Sequence, residues 1–261
     1  MNGYDRRAPF YLNEFAVRDD FTLLRQLLAG GTGLVIDIPS GAGRLLPVHQ
    51  AHGRDVIMVD VEPAMAGQCQ TGAALRNLTP RVTAVQGDIT TWTAPRPAAR
   101  LVIARGGLQM LPSHEAVGQA LAASAANLGD GGILYLDVAM PWTAAPAAAR
   151  DLAPFMRFAG KRHLEGCSYI QARDGIRIRR TYVSRLLKDR VAVRFRYELD
   201  RGASSGWQDF ETDASWCKVD PASVLSTLKK NSLKAISLLG DYAGTAFSAQ
   251  SPRFICIAVA S

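Results

Sequence analysis

Three aspartates stand where short apolar runs end: Asp37 after Leu34-Val35-Ile36, Asp60 after Val56-Ile57-Met58-Val59, and Asp88 just beyond Val82–Gln86. An ionised carboxylate only accepts hydrogen bonds and has two oxygens to do so, which suits partners offering paired hydroxyls or an amino group. At the end of its run, Asp60 can take both hydroxyls of a ribose. Asp88, in Gln86-Gly87-Asp88-Ile89, can receive an exocyclic amino group with Ile89 packed beside the ring. After Asp37 the chain reads Ile38-Pro39-Ser40-Gly41-Ala42-Gly43-Arg44. Gly41 and Gly43 can adopt backbone angles closed to other residues and let a ligand lie against the main chain. Each feature alone has an ordinary structural explanation, the glycines as a strand-to-helix turn and the acids as helix caps. Together, at the ends of consecutive runs, they describe one site.

For these groups to meet, the runs must be neighbouring parallel strands, with their carboxyl ends on one edge of a sheet. The sequence predicts strands over Gly33–Ile38, Asp55–Asp60, Val82–Gln86, Leu101–Ala104 and Ile133–Val138. Their unbroken apolar character suits burial on both faces. Helical spacing of Ala and Leu fills Pro63–Asn77 and Ser113–Leu128, with Ser113 as N-cap and Gly129-Asp130-Gly131-Gly132 as the stop. After Pro141 the pattern alternates: Val191, Val193, Phe195, Tyr197 and Leu199 share one parity, and Arg194, Arg196, Glu198 and Asp200 the other. That is the mark of antiparallel strands with one wet face, turning at Lys188-Asp189-Arg190. A helix over Pro221–Lys230 and strands near Leu233–Leu239 and Phe254–Val259 follow. The expected fold is α/β, Rossmann-like: a seven-stranded, mostly parallel sheet with helices on both faces and an antiparallel β insertion after strand five. We expect one domain over 1–261. It divides into an N-terminal helical cap (1–32), a cofactor-binding core (33–140), an insertion for substrate or dimer contact (160–217) and a C-terminal helix and strands (218–261).

With these motifs in place, the chain resembles the class I S-adenosylmethionine-dependent methyltransferase family. Asp37–Gly43 looks like its first motif, usually D-x-G-x-G-x-G, although Pro39 stands where the family has glycine and stiffens the turn. Val59-Asp60-Val61-Glu62-Pro63-Ala64-Met65 looks like the second, Gln86–Ile89 the third, and Leu128–Leu134 the approach to strand five. The resemblance implies S-adenosylmethionine as cofactor. It puts Asp37 and the turn with Pro39, Gly41 and Gly43 at the methionine part, Asp60 at the ribose and Asp88, with Ile89 beside it, at the adenine; Val61 and Met65 join the cofactor-binding residues. A dinucleotide fingerprint would instead want a third glycine where Leu46 stands.

Pro9-Phe10-Tyr11-Leu12-Asn13-Glu14 resembles a segment that closes the cofactor site in small-molecule members, which adds Tyr11 to the cofactor residues and Tyr4 to the pocket lining. The order of elements is similar to amino-sugar N,N-dimethyltransferases of antibiotic pathways. Arg105, after the fourth strand, can pair with the donor's carboxylate or form a structural salt bridge. Gln109 can orient a nucleophile or act as a cap, and His114 and His163 are the histidines to test as general base. Tyr169 and Tyr182 are candidate substrate contacts in the insertion.

The four cysteines, Cys69, Cys167, Cys217 and Cys256, have neither disulfide-framework nor zinc-knuckle spacing, and no metal site is expected. The formal charge of +7 permits an anionic partner without requiring one. No apolar run approaches the ~20 residues of a membrane span and no secretory leader is legible, so a cytoplasmic protein is expected. We expect a small-molecule acceptor, no nucleic acid, no membrane, and a homodimer through the insertion. Two alternatives stay open: an RNA or tRNA methyltransferase gripping with the basic insertion, and a non-catalytic partner subunit of the same fold.

Overall fold

The computed structural model describes residues 8, 11–14, 18–140, 163–171, 177–200 and 207–261. Five strands run parallel in one sheet: β1 (Leu34–Asp37), β2 (Val56–Asp60), β3 (Val82–Gln86), β4 (Ala98–Ile103) and β5 (Leu128–Ala139). The last two strands of the chain, β10 (Leu233–Leu239) and β11 (Arg253–Ala260), complete a seven-stranded sheet of order β10-β11-β5-β4-β1-β2-β3, with β11 antiparallel to both neighbours. The expected Rossmann-like fold is therefore present.

Alternation along each strand sends side chains to two cores. Leu34, Ile36, Leu101, Ile103, Leu134 and Leu136 face one way, against helices α5 (His114–Ala126) and α6 (Pro221–Lys230). Val35, Val56, Met58, Val102 and Tyr135 face the other, against α2 (Phe21–Leu28), α3 (Leu46–His52) and α4 (Pro63–Ala74). A four-residue helix, α1 (Tyr11–Glu14), precedes them. As read from the sequence, Ser113 caps α5, accepting from Ala116 N at 3.1 Å. Gly129–Gly132 is a different matter: it does not stop the helix but opens β5, which begins at Leu128 directly after the C-cap Asn127. Pairing with β4 brackets that stretch: Ala98 lies opposite Leu128 and Arg100 opposite Ile133, so Gly129–Gly132 form a bulge between the two paired positions.

The second sheet is the insertion, four antiparallel strands in sequence order: β6 (His163–Gln171), β7 (Arg177–Leu186), β8 (Arg190–Asp200) and β9 (Trp207–Cys217). Its apolar face gathers Ile178, Tyr182, Val191, Val193, Phe195, Tyr197, Leu199 and Phe210, with the Tyr197 and Phe210 rings stacked at 4.8 Å. The opposite face is an ion-pair ladder: Arg177 with Asp200, Arg179 with Glu198, Arg194 with Asp213, and Arg196 with Asp209. Trp216 Nε1–H, 2.9 Å from Met110 Sδ, and Arg190, donating to the Pro112 carbonyl at 2.8 Å, dock the sheet on the 3-10 turn Gly107–Met110 that follows β4. Among the described residues no helix is long and apolar enough to cross a membrane.

Candidate active site at the carboxyl edge of the sheet

Sheet order reverses between β1 and β4, and a crevice opens above the carboxyl ends of strands at such a point. Asp37 ends β1, Asp60 ends β2 beside it, and Asp88 lies two residues past β3. The three acids thus follow one another along a single edge.

Between them lies the glycine turn. Gly41 has φ +55° and Gly43 φ +86°, a region that costs other residues dearly. A Cβ on Gly41 would sit 3.0 Å from the Tyr11 ring, so α1 rests on the turn with no room to spare. A Cβ on Gly43 would lie 2.7 Å from Leu46, whose fully buried side chain fills the space that close helix–strand packing in a dinucleotide site would need. Pro39, joined to Ile38 by a cis peptide, packs against Gly107 of the β4 turn.

Asp60 braces this turn: its Oδ2 accepts from Gly41 N at 2.8 Å and its Oδ1 from Glu62 N at 3.0 Å. Burial pushes its carboxyl above the ordinary range, partly offset by those two N–H groups and reinforced by the nearby Glu62 and Asp37. Val61, next in sequence, is 52% exposed on the rim, whereas Met65 is buried with Ala8 and Ala42 beneath Tyr11. Asp88 is exposed, and its Oδ1 accepts from the Thr90 N–H and hydroxyl at 2.8 and 2.7 Å, which fixes the loop carrying it. Ile89 is buried beneath.

Asp37 is almost wholly buried, and its Oδ2 lies 3.1 Å from His49 Nε2 on α3. Neither His49 nor its neighbour His52 stood out in the sequence as a site residue. Their spacing of three on one helix face was the available signal.

Other candidates are committed elsewhere. The Gln109 amide takes both backbone groups of Ala139, donating to its carbonyl at 3.1 Å and accepting from its N–H at 2.8 Å. That use ties the β4 turn to the end of β5 and spends the polar atoms a nucleophile would need. Arg105 is held by an ion pair with Asp19 at 3.0 Å and lies 5.5 Å over the Tyr242 ring, the structural salt bridge rather than a free cation. Tyr182 belongs to the apolar face of the insertion, 6.2 Å from Phe195. His114, exposed at the start of α5, has Nδ1 3.5 Å from Cys217 Sγ. His163 and Tyr169 are located by strand pairing, opposite Arg185 and Arg179. Tyr4 lies outside the described residues.

Sequence reasoning missed a buried hub behind the site. The Asp137 carboxylate accepts from the Arg105 and Gly106 N–H groups, the Tyr135 and Tyr242 hydroxyls and Arg253 Nη2. Burial opposes its charge, yet Arg253 and these donors prevail and hold the carboxyl below its ordinary range. An acid inside Leu134-Tyr135-Leu136-Asp137-Val138, a run apolar enough for full burial, was itself a signal that a cation must meet it. From the hub, Arg105 reaches Asp19, and Arg44 makes a two-pronged pair with Asp20 at 2.6 and 2.8 Å, binding α2 to the same edge.

The donor set suits an adenosyl ligand without phosphates. Three carboxylates line the edge, the turn presents backbone and no free cation, and Arg44 is already paired. Anionic phosphates would meet repulsion where hydroxyls, an amino group and an ammonium would be welcomed.

Comparison with known proteins agrees. Residues 35–132 match the family model of a methyltransferase domain. Across the whole chain, the fold is similar to that of an S-adenosylmethionine-dependent methyltransferase from Clostridium acetobutylicum (13% identity, TM-score 0.76, 100% of both chains covered). It is also similar to DesVI from Streptomyces venezuelae (16%, 0.72, 100% of this chain and 99% of that one). A third similar fold is CalS10 from Micromonospora echinaspora, an amino pentose methyltransferase of calicheamicin biosynthesis (16%, 0.66, 100% and 92%). No curated protein matches the sequence.

Proposed function

We propose that the chain is a class I, S-adenosylmethionine-dependent methyltransferase that methylates an amine or hydroxyl of a small molecule in specialised, antibiotic-type metabolism. The observation that carries the reading is the row of Asp37, Asp60 and Asp88 along the switch-point edge, braced by the Asp60–Gly41 hydrogen bond.

S-adenosylmethionine supplies, when bound, a methyl group already activated on a sulfonium. The chain's part is to hold and orient. Asp60 offers its carboxylate to the ribose hydroxyls, Asp88 to the adenine amino group, and Asp37 with the Gly41 turn to the methionine end, while Tyr11 covers that turn. Positioning of this kind supplies most of what an in-line displacement needs. A neutral amine needs only to release its proton to water; a hydroxyl needs a base within hydrogen-bond reach.

Two observations favour a small acceptor over RNA. Similarity to CalS10, an amino pentose methyltransferase, extends over the insertion as well as the core. Four arginines on the polar face of the insertion, Arg177, Arg179, Arg194 and Arg196, are matched by acids across the strands, which weakens the field that ladder offers a phosphate backbone.

Calorimetry with S-adenosylmethionine, followed by transfer of labelled methyl to a panel of amino sugars and phenols, tests this. Saturable binding and a methylated small product are expected. Absence of binding to folded protein ends the proposal, and RNA binding with a steep salt dependence would move the acceptor to the rival class.

A further inference from the structure

Beneath the glycine turn, three polar side chains form a line from the sheet edge into the body of the protein. Asp37 Oδ2 is 3.1 Å from His49 Nε2, His49 Nδ1 is 3.1 Å from His52 Nε2, and His52 Nδ1 accepts from Arg54 N–H at 3.1 Å. Asp37 and His49 are about as buried as side chains become, at 1% and 2% exposure. His52 is half-buried.

The two ends of this line fix everything between them. A backbone N–H can only donate, so His52 Nδ1 must be bare and its proton must sit on Nε2. That proton points at His49 Nδ1, which must therefore be bare in turn, and the His49 proton sits on Nε2. It is donated to a carboxylate, which can only accept. Every bond then runs in one direction with both rings neutral, and no other arrangement of neutral rings satisfies all three contacts.

We propose that His49 and His52 are positioning residues for the donor: the pair locks a neutral Nε2–H tautomer onto Asp37 and holds that carboxylate aimed at the ammonium group of the methionine end. This rests on the functional reading above. His49 engages one oxygen, so the acid retains a second for a ligand. Neither ring touches the donor or takes a proton in the reaction; each acts through Asp37.

Two measurements test this. Long-range nitrogen–proton NMR on the wild-type protein near neutral pH should find both rings neutral and protonated at Nε2. A His49 ring protonated at Nδ1, or at both nitrogens, overturns the relay with no variant needed. Binding of S-adenosylhomocysteine, which keeps the amino-acid end, is then followed by calorimetry. His49→Phe should weaken it roughly 10- to 100-fold, the value of a charge-assisted hydrogen bond, and His49→Gln, which restores an N–H donor, should recover most of the loss. His52→Phe should weaken it less, since the tautomer is freed but the donor stays. Wild-type binding is measured first, so failure of the methyltransferase reading shows itself there. Unchanged affinity in a folded His49→Phe, against a wild type that binds, overturns the relay alone.

Discussion

Arg253 and Asp137, 116 residues apart in the chain, meet at 2.5 Å in the interior, where the last strand crosses the end of the fifth. The pair does more than join two strands. Asp137 also accepts from the backbone of Arg105 and Gly106, so it shapes the loop that follows β4 at the switch point. Arg105 has φ +55°, an uncommon angle for a residue with a side chain, and its N–H is held by this carboxylate.

Removing one partner of such a pair strands the other charge. Arg253→Met should cost about 3–5 kcal/mol of stability in urea unfolding. A loss below about 1 kcal/mol would mean that the remaining donors to Asp137 suffice without the arginine.

Asp60→Ala removes the acceptor that faces both the turn and the expected ribose. Hydrogen bonds to charged groups are worth about 1.5–3 kcal/mol, so S-adenosylmethionine affinity should drop roughly 10- to 100-fold by calorimetry. Equal affinity in Asp60→Ala and Asp88→Ala to that of the wild type would contradict the assignment of this edge.

Gly41→Ala places a methyl group 3.0 Å from the Tyr11 ring on a backbone with φ +55°. Left-handed backbone alone costs about 1–2 kcal/mol. The variant should unfold at lower denaturant, and a Tyr11→Ala background should return part of the loss. No recovery would indicate that strain, not contact, decides this position.

His52 sets a pH window. Burial above all, with His49, Arg54 and Arg81 adding to it, pushes its imidazole from 6.5 down to about 4. As pH falls through that interval the unfolded chain takes up a proton that the folded one refuses, so stability drops from about pH 6.5 to about 4 and this contribution levels off below. Comparing the wild type with His52→Phe across the interval should show a shallower slope in the variant. Parallel curves would remove His52 as the cause.

Gln109→Ala orphans both backbone groups of Ala139, and each buried unsatisfied group costs about 1–3 kcal/mol. Stability should fall by at least that much. If instead the variant is as stable as the wild type and loses only turnover, Gln109 belongs to the reaction after all.

Much of this protein was written in its sequence, because the relevant forces are local. Apolar runs too continuous for a wet face dictated strands buried on both sides, and strict alternation in Val191–Leu199 dictated an antiparallel sheet with one polar face. Gly41 and Gly43 announced a turn that only glycine takes, and the acids at the ends of the runs marked the carboxyl edge at the switch point of the sheet. What tertiary structure alone decided were the partners of buried charges. That Arg105 answers Asp19, that Gln109 serves Ala139, that Arg253 crosses to Asp137 and that His49 stands under Asp37 depend on which elements are neighbours in space. A side chain's chemistry is fixed by its residue type, but its role is fixed by what burial forces it to pair with, and that pairing has no signature in spacing along the chain.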